Sequence, residues 1–319
     1  MRFIKNKTKK DTMKAAIIRD YGTAVEIAEI EKPSLKEDSV IIEVYAASLN
    51  PIDNILRAGY MKEMMPLTFP HVMGYDVSGV VVKVGKGVES VKIGDSVFAR
   101  QNQDDAGAIA EYARIKENEL AIKPASLSHV HAASVPLAGL TAWQALMTHG
   151  KLQEGCKVLI HAGSGGVGTN AIQIAKHFGA FVATTTSSKN TELVQSLGAD
   201  LIIDYKTQKF QDQLSEFDLV IDMLGGETMN DSFKVLKKGG ALISIKGQDT
   251  DNLASKYGVR FEWFFMSPDG KMLEELGALI SAGSVKPIID TVFPLDQADV
   301  AYERLATGRS VGKIVVEVK

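Results

Sequence analysis

Between a short apolar run, Val158–Ile160, and a stretch of helical spacing lies Gly163-Ser164-Gly165-Gly166-Val167-Gly168. These residues satisfy G-x-G-x-x-G in the context that gives the pattern meaning. A buried-type strand precedes them, and an amphipathic helix carrying Ile172, Ile174, Ala175 and Phe178 follows. Glycines there permit a tight turn and close backbone approach, and free N–H groups at the helix start face a pyrophosphate. The expected chemistry is the holding of a dinucleotide; the alternative is a packing turn. The next strand bears on which dinucleotide. NAD sites place a carboxylate about 20 residues on, where it bonds the ribose 2′-hydroxyl. Here the strand ends Thr184-Thr185-Thr186-Ser187-Ser188-Lys189-Asn190, and the first carboxylate, Glu192, already lies in the next helix. Ser187, Ser188 and Lys189 offer hydroxyls and a cation, which suit a 2′-phosphate. The expectation is NADPH, against the alternative of a serine-rich loop with a surface lysine.

Positioning such a loop takes strands that alternate with helices, and the middle of the chain supplies them. "KVLIHAG" leads to a helix over 167–178, "FVATTTS" to one over 190–197, and "LIIDY" to a short helix. "FDLVIDMLG" leads to a helix over 228–237, and "GALISI" and "VRFEWFF" follow. Six strands separated by helices predict an α/β fold, a doubly wound parallel sheet of Rossmann type. Residues 13–126 read differently, as short Val- and Ile-rich segments punctuated by Gly, Asp and Pro, which predicts a mainly antiparallel β domain. A helical segment over 134–150 links the two. The last third holds helices over 269–282 and 296–307 and the strands "IIDTVFPL" and "GKIVVEVK". The expected division is a β domain of residues 13–126 and 265–319, with the α/β domain, 127–264, inserted.

Charge is uneven along the 319 residues. The net value is −3, yet the first twelve residues carry Arg2, Lys5, Lys7, Lys9 and Lys10 against Asp11, so the remainder stands at −7. An acidic body argues against nucleic acid as the main partner. The basic lead has no apolar core, so it is not a secretory signal, and residues 1–12 are expected to be a disordered leader. No apolar run is long enough to span a membrane. Cys156 is the only cysteine, which excludes an intrachain disulfide and a cysteine zinc cluster. A cytoplasmic protein is expected.

Several ordered segments together resemble the medium-chain dehydrogenase/reductase superfamily, and within it the zinc-free quinone oxidoreductase branch that includes zeta-crystallin. They are "SLNPIDNILRAGY" (48–60), "FPHVMGYDVSGVVVKVGKGV" (69–88), "PLAGLTAWQAL" (136–146), the glycine loop, "LGADLIIDY" (197–205) and "GKIVVEV" (312–318). The resemblance runs from Met13 to Lys319. It implies a GroES-like β-rich catalytic domain joined to a Rossmann domain, with the active site in the cleft between them. Zinc-dependent members carry C-G-x-D and G-H-E where this chain reads "NPID" and "GYD". Asn50 stands in place of the cysteine, Tyr75 of the histidine and Asp76 of the glutamate. An amide and a phenol are poor zinc ligands, so no metal is expected.

Without a Lewis acid the acceptor must already be electron-poor, a quinone or an α,β-unsaturated carbonyl. An enoyl-thioester reductase is the neighbouring alternative. A third is an NADPH-binding sensor or nucleic-acid-binding protein without strong catalysis. Asn50 is expected to hold the nicotinamide ribose or the acceptor oxygen, against an Asn-Pro turn. Tyr60 and Tyr75 are candidate donors to a developing oxyanion, against half-buried aromatics. Asp53 is expected to orient their loop rather than act as a base. The resemblance adds Thr141 near the nicotinamide, Tyr205 by the 2′-phosphate and Lys313 close to the cofactor. It also implies a homodimer joined at the Rossmann sheet edges, where "GALISI" and "VRFEWFF" are apolar.

Overall fold

The computed structural model describes residues 11–102 and 107–319. The first part of the chain lays down eight strands: β1 (Thr12–Ile18), β2 (Glu26–Glu31), β3 (Ser39–Ser48), β4 (His71–Val72), β5 (Asp76–Val84), β6 (Ser96–Arg100), β7 (Tyr112–Lys116) and β8 (Leu120–Ile122). β2, β1 and β4 form a small antiparallel sheet. β3 is the spine of the larger one. Its sequence, SVIIEVYAAS, is rich in β-branched residues and buried along nearly its whole length, because strands pair with it on both sides. Pro51 follows β3 closely and starts the helix Pro51–Arg57, where its fixed φ suits the first turn.

The middle of the chain forms β9 (Lys157–Ile160), β10 (Phe181–Thr186), β11 (Leu201–Asp204), β12 (Phe217–Asp222), β13 (Leu236–Ser244) and β14 (Arg260–Trp263). All pair in parallel, in the order β11-β10-β9-β12-β13-β14. The order reverses between β9 and β12, the place where open α/β sheets bind ligands. The runs Val158–Ile160, Leu219–Ile221 and Ala241–Ile243 are apolar without alternation, since helices cover both faces. Two last strands, β15 (Ile289–Pro294) and β16 (Lys313–Glu317), return to the first domain and continue its large sheet beside β3.

The architecture is thus the expected α/β pairing of a GroES-like β-rich domain with a Rossmann doubly wound sheet. Local boundaries differ. The helix expected over 228–237 is shorter, Gly226–Ser232, and a single 3₁₀ turn carries the chain into β13 at Leu236. Met229, Phe233 and Leu236 are buried in one cluster, and their spacing (i, i+4, i+7) mimics a helix. The short helix expected after "LIIDY" is one 3₁₀ turn, Phe210–Asp212. The helical segment over 134–150 is the helix Pro136–Trp143 continued by a π-helical stretch, Gln144–His149.

The helix Gly270–Ser281 buries Leu273, Leu276 and Ile280 in the core that contains Val158, Ile160 and Ile172. By contrast, Ala298, Ala301, Tyr302 and Leu305 of the helix Ala298–Ala306 pack with Ala47 and Leu49 of the β domain. The disordered leader expected over 1–12 lies outside the described residues as far as residue 10. Asp11 and Thr12 belong to the fold: Asp11 pairs with Lys32 at 2.8 Å and Thr12 opens β1. Among the described residues no helix is long and apolar enough to cross a membrane.

Candidate active site

The glycine loop leaves the end of β9, the central strand. Ala162 turns the chain with a left-handed φ of 51°, a conformation a non-glycine residue adopts at a cost of about 1–3 kcal/mol. The loop glycines divide by what surrounds them. A Cβ on Gly163 would collide with Thr184 Oγ1, and one on Gly168 with the backbone of Ala162 and Gly163. Those two let strand and helix pack. Around Gly165 a Cβ would meet only Ala162 O, at 3.3 Å, a far milder internal contact than at Gly163 or Gly168. The helix Gly166–His177 starts there, and its first amides have no intrahelical acceptor.

The far end of the chain is fastened to this loop. Gly312 N donates to Ser164 O at 2.9 Å, and Gly165 bridges Gly312 in parallel. Lys313 follows at the head of β16. Its stem passes the loop so closely that a Cβ on Gly166 would lie 2.8 Å from Lys313 Cδ. The ammonium continues to the other domain, where Nζ donates to Leu49 O at 2.6 Å and to Asn50 Oδ1, and lies 3.6 Å from Asp76 Oδ2.

Asn50 is held at both ends. Its Oδ1 receives Lys313, and its Nδ2 donates to Asp76 Oδ2 at 2.8 Å. Asp76 also accepts from Ser48 Oγ at 3.2 Å and from Leu137 N at 3.0 Å, at the start of the linking helix. The Asn50 N–H donates to Asp53 Oδ2 at 2.9 Å, and the Tyr302 hydroxyl stands 3.5 Å from the same oxygen. Asp53 Oδ1 has no hydrogen-bond partner and is buried. Burial pushes the Asp53 carboxyl up to about 7, against the pull of Lys313 and Arg100. Burial also pulls the Lys313 ammonium below its usual value, opposed by Asp76 and Asp53. The Arg100 guanidinium lies 4.7 Å over the Tyr75 ring, with Nε and Nη1 buried and unpartnered.

This donor set does not suit zinc. The Asn50 amide is engaged with a lysine and a carboxylate, the Tyr75 hydroxyl shares a 3.0 Å hydrogen bond with His71 Nε2, and an ammonium neighbours Asp76. Among the described residues no group of three or more His, Cys, Asp or Glu is arranged for a metal.

The structure thus brings together Asn50, Asp53, Lys313 and the glycine loop, Gly163 to Gly168. Thr141 is buried one turn beyond Leu137, and its hydroxyl donates to Leu137 O at 2.7 Å. Val167 packs against the Rossmann core. Ser187, Ser188 and Lys189 sit at the end of β10, half-buried in the first case and exposed in the others. Tyr205 is exposed, and its backbone N–H donates to Thr186 O at 3.2 Å beside them. The two phenols differ in setting. Tyr75 is buried among Leu56, Met65 and Arg100, and Tyr60 is 84 % exposed. Sequence reasoning assigned no role to Asp76, Ser48, Tyr302, Arg100, Thr186 or Asn190. Asp76 had a signal in "GYD", and Asn190 in its place beside Lys189; Tyr302 and Arg100 had none.

Known proteins place the chain. Residues 36–125 match the model of the alcohol dehydrogenase GroES-like domain, and residues 197–316 that of the zinc-binding dehydrogenase domain. Residues 140–224 match the C-terminal domain of alanine dehydrogenase/PNT. The 2-methylene-furan-3-one reductase of Solanum lycopersicum is 41 % identical over 95 % of this chain and 79 % of its own length. The chloroplastic NADPH-dependent alkenal/one oxidoreductase of Arabidopsis thaliana is 39 % identical over the same shares. The quinone oxidoreductase of Coxiella burnetii superposes with a TM-score of 0.90 at 34 % identity, covering 97 % of this chain and 100 % of that one. A β-rich domain, a Rossmann sheet and relatives this similar along nearly the whole chain lead to one conclusion: the protein belongs to the medium-chain dehydrogenase/reductase superfamily, among relatives named as quinone and alkenal oxidoreductases.

Proposed function

We propose that the protein is an NADPH-dependent oxidoreductase that reduces a quinone or an α,β-unsaturated carbonyl without a metal. The observation that carries the reading is Lys313, which runs from the glycine loop to Asn50 and so joins a dinucleotide cradle to a polar centre in the other domain. The cradle fits the cofactor. Gly165 is the loop glycine with little internal packing against it, the helix opens with amides that lack intrahelical acceptors, and β10 ends in Ser187, Ser188 and Lys189. The name of the Arabidopsis relative supports the same cofactor, and the names of both it and the tomato relative support the acceptor class.

Bound there, the reduced nicotinamide supplies the hydride. The chain's contribution is orientation and electrostatics. Asn50 Nδ2 has two N–H groups and Asp76 takes one, so the other is left to hold the nicotinamide ribose or the acceptor oxygen. The clamp from Lys313 and Asp76 fixes the plane of that amide before substrate arrives. Lys313 and Arg100 face Asp76 and a carboxyl, Asp53, that is largely protonated below pH 7. The surplus positive charge favours the negative charge that develops on an acceptor oxygen when hydride is added beside it. The proton that completes the reduction comes from solvent.

An assembly and a compartment belong to the same reading: a homodimer, in the cytoplasm. The deciding experiment follows NADPH absorbance with quinones, enones and enoyl-thioesters, before and after dialysis against a strong chelator. Turnover of a quinone or enone that survives dialysis is the expected result. Turnover of enoyl-thioesters alone would move the acceptor class. Activity lost to the chelator and restored by Zn²⁺ would overturn the metal-free reading.

A further inference from the structure

Ser164 is the residue of the glycine loop whose side chain is gripped from the neighbouring strand. Its Oγ accepts from Thr186 Oγ1 at 3.0 Å and from Asn190 Nδ2 at 2.9 Å. Thr186 is the buried last residue of β10. Asn190 closes the turn that carries Ser187, Ser188 and Lys189, and its backbone N–H donates to Ser187 O at 2.9 Å. One side chain therefore ties the loop at the pyrophosphate end of the groove to the turn expected to meet the ribose.

The pairing also sets the polarity of the hydroxyl. A serine O–H has two lone pairs and one proton. At Ser164 both lone pairs are taken, so the half-buried hydroxyl faces a ligand as a donor only. A ribose hydroxyl both donates and accepts, and half of its capacity would be wasted there. A phosphate oxygen only accepts, and its charge strengthens the bond. We propose that Asn190, acting through Ser164, is a specificity-determining residue: together with Thr186 it commits the Ser164 hydroxyl to donating, which selects a cofactor bearing a 2′-phosphate over one bearing a 2′-hydroxyl. The inference rests on the NADPH reading and adds a residue outside the Ser187–Lys189 stretch to the basis of selection. Asn190 is a positioning residue here; the group that touches the ligand is Ser164.

The test is calorimetric titration of NADPH and NADH into the whole wild-type chain, Asn190→Ala and Asn190→Asp, with melting curves to establish folding. Asn190→Ala returns a lone pair to Ser164 and should weaken NADPH about tenfold, the loss of one charge-assisted bond, with less than a twofold change for NADH. In Asn190→Asp the Ser164 proton turns toward the new carboxylate, and the preference should fall further or invert. Asn190→Ser, which keeps a turn-forming residue too short to reach Ser164, should match Asn190→Ala and serves if that variant does not fold. Equal weakening of both cofactors would mean that Asn190 only braces the loop, and would overturn the inference. So would a wild-type ratio retained in both variants. A wild type that binds NADPH and NADH equally would overturn the cofactor reading itself, and the inference with it.

Discussion

Asp53 makes stability depend on pH through a single buried carboxyl. Its usual value is 3.8, and burial raises it to about 7 in the folded protein. Below pH 4 it is protonated in both states and has no effect. Between pH 4 and 7 the unfolded chain has released the proton while the folded chain still holds it, so stability falls as pH rises, levelling off above pH 7. A displacement of this size corresponds to roughly 4 kcal/mol at most. Asp53→Asn keeps an oxygen for the Asn50 N–H and removes the titration. Its melting temperature relative to wild type should therefore rise between pH 4 and pH 8; a constant offset would show that Asp53 does not titrate as described. The glycines make a second residue-scale prediction. A Cβ on Gly165 needs Ala162 O to give by only a few tenths of an ångström, so Gly165→Ala should lower the melting temperature slightly and weaken NADPH at least tenfold by colliding with the ligand. Gly163→Ala collides within the protein and should lower the melting temperature itself. If Gly165→Ala binds NADPH normally, the loop is only a turn. At this scale the sequence was readable where residues act locally, as in the loop. The Asn50 clamp was only half legible, because Asp76 and Lys313 stand 26 and 263 positions away.

At the scale of elements, periodicity identified all six Rossmann strands, since parallel strands buried on both faces read as unbroken apolar runs. It failed after Ser232, where residues buried under the sheet in a tight turn have the spacing of a helix. The outermost strand carries the next expectation. β14 ends the six-stranded sheet with Arg260-Phe261-Glu262-Trp263; Trp263 and nearby Phe265 are 39 % and 47 % exposed. His149 packs its ring on Phe264 and bonds Glu262 at 2.5 Å, and no further strand pairs beyond β14 among the described residues. An edge of this kind pairs readily with a second copy of itself. Light scattering at micromolar concentration should give the mass of a dimer, and Trp263→Pro, which removes an N–H that points away from β13, should shift it toward monomer. A wild-type monomer would reject the assembly and leave the enzyme reading intact.

For the molecule as a whole, β15 and β16 bring the end of the chain back to the sheet beside β3. What no local pattern announced is that the approach to β16 also touches the glycine loop. The contact between Gly165 and Gly312 spans nearly half the chain, so it closes only when both domains have largely formed. Contacts of such separation are slow to make in folding, and a cradle that depends on one is absent from early, partly ordered states. The cofactor then has nothing to bind until the barrier is crossed. Saturating NADPH should lower the rate of unfolding in denaturant and leave the refolding rate nearly unchanged, as for any contact absent from the transition state. Stopped-flow measurements of both limbs would decide it; faster refolding with NADPH would mean that the cradle forms before β16 docks. Slower unfolding with unchanged refolding would make the fastening of loop to strand a kinetic lock, engaged late in folding and hard to reopen once ligand is in place.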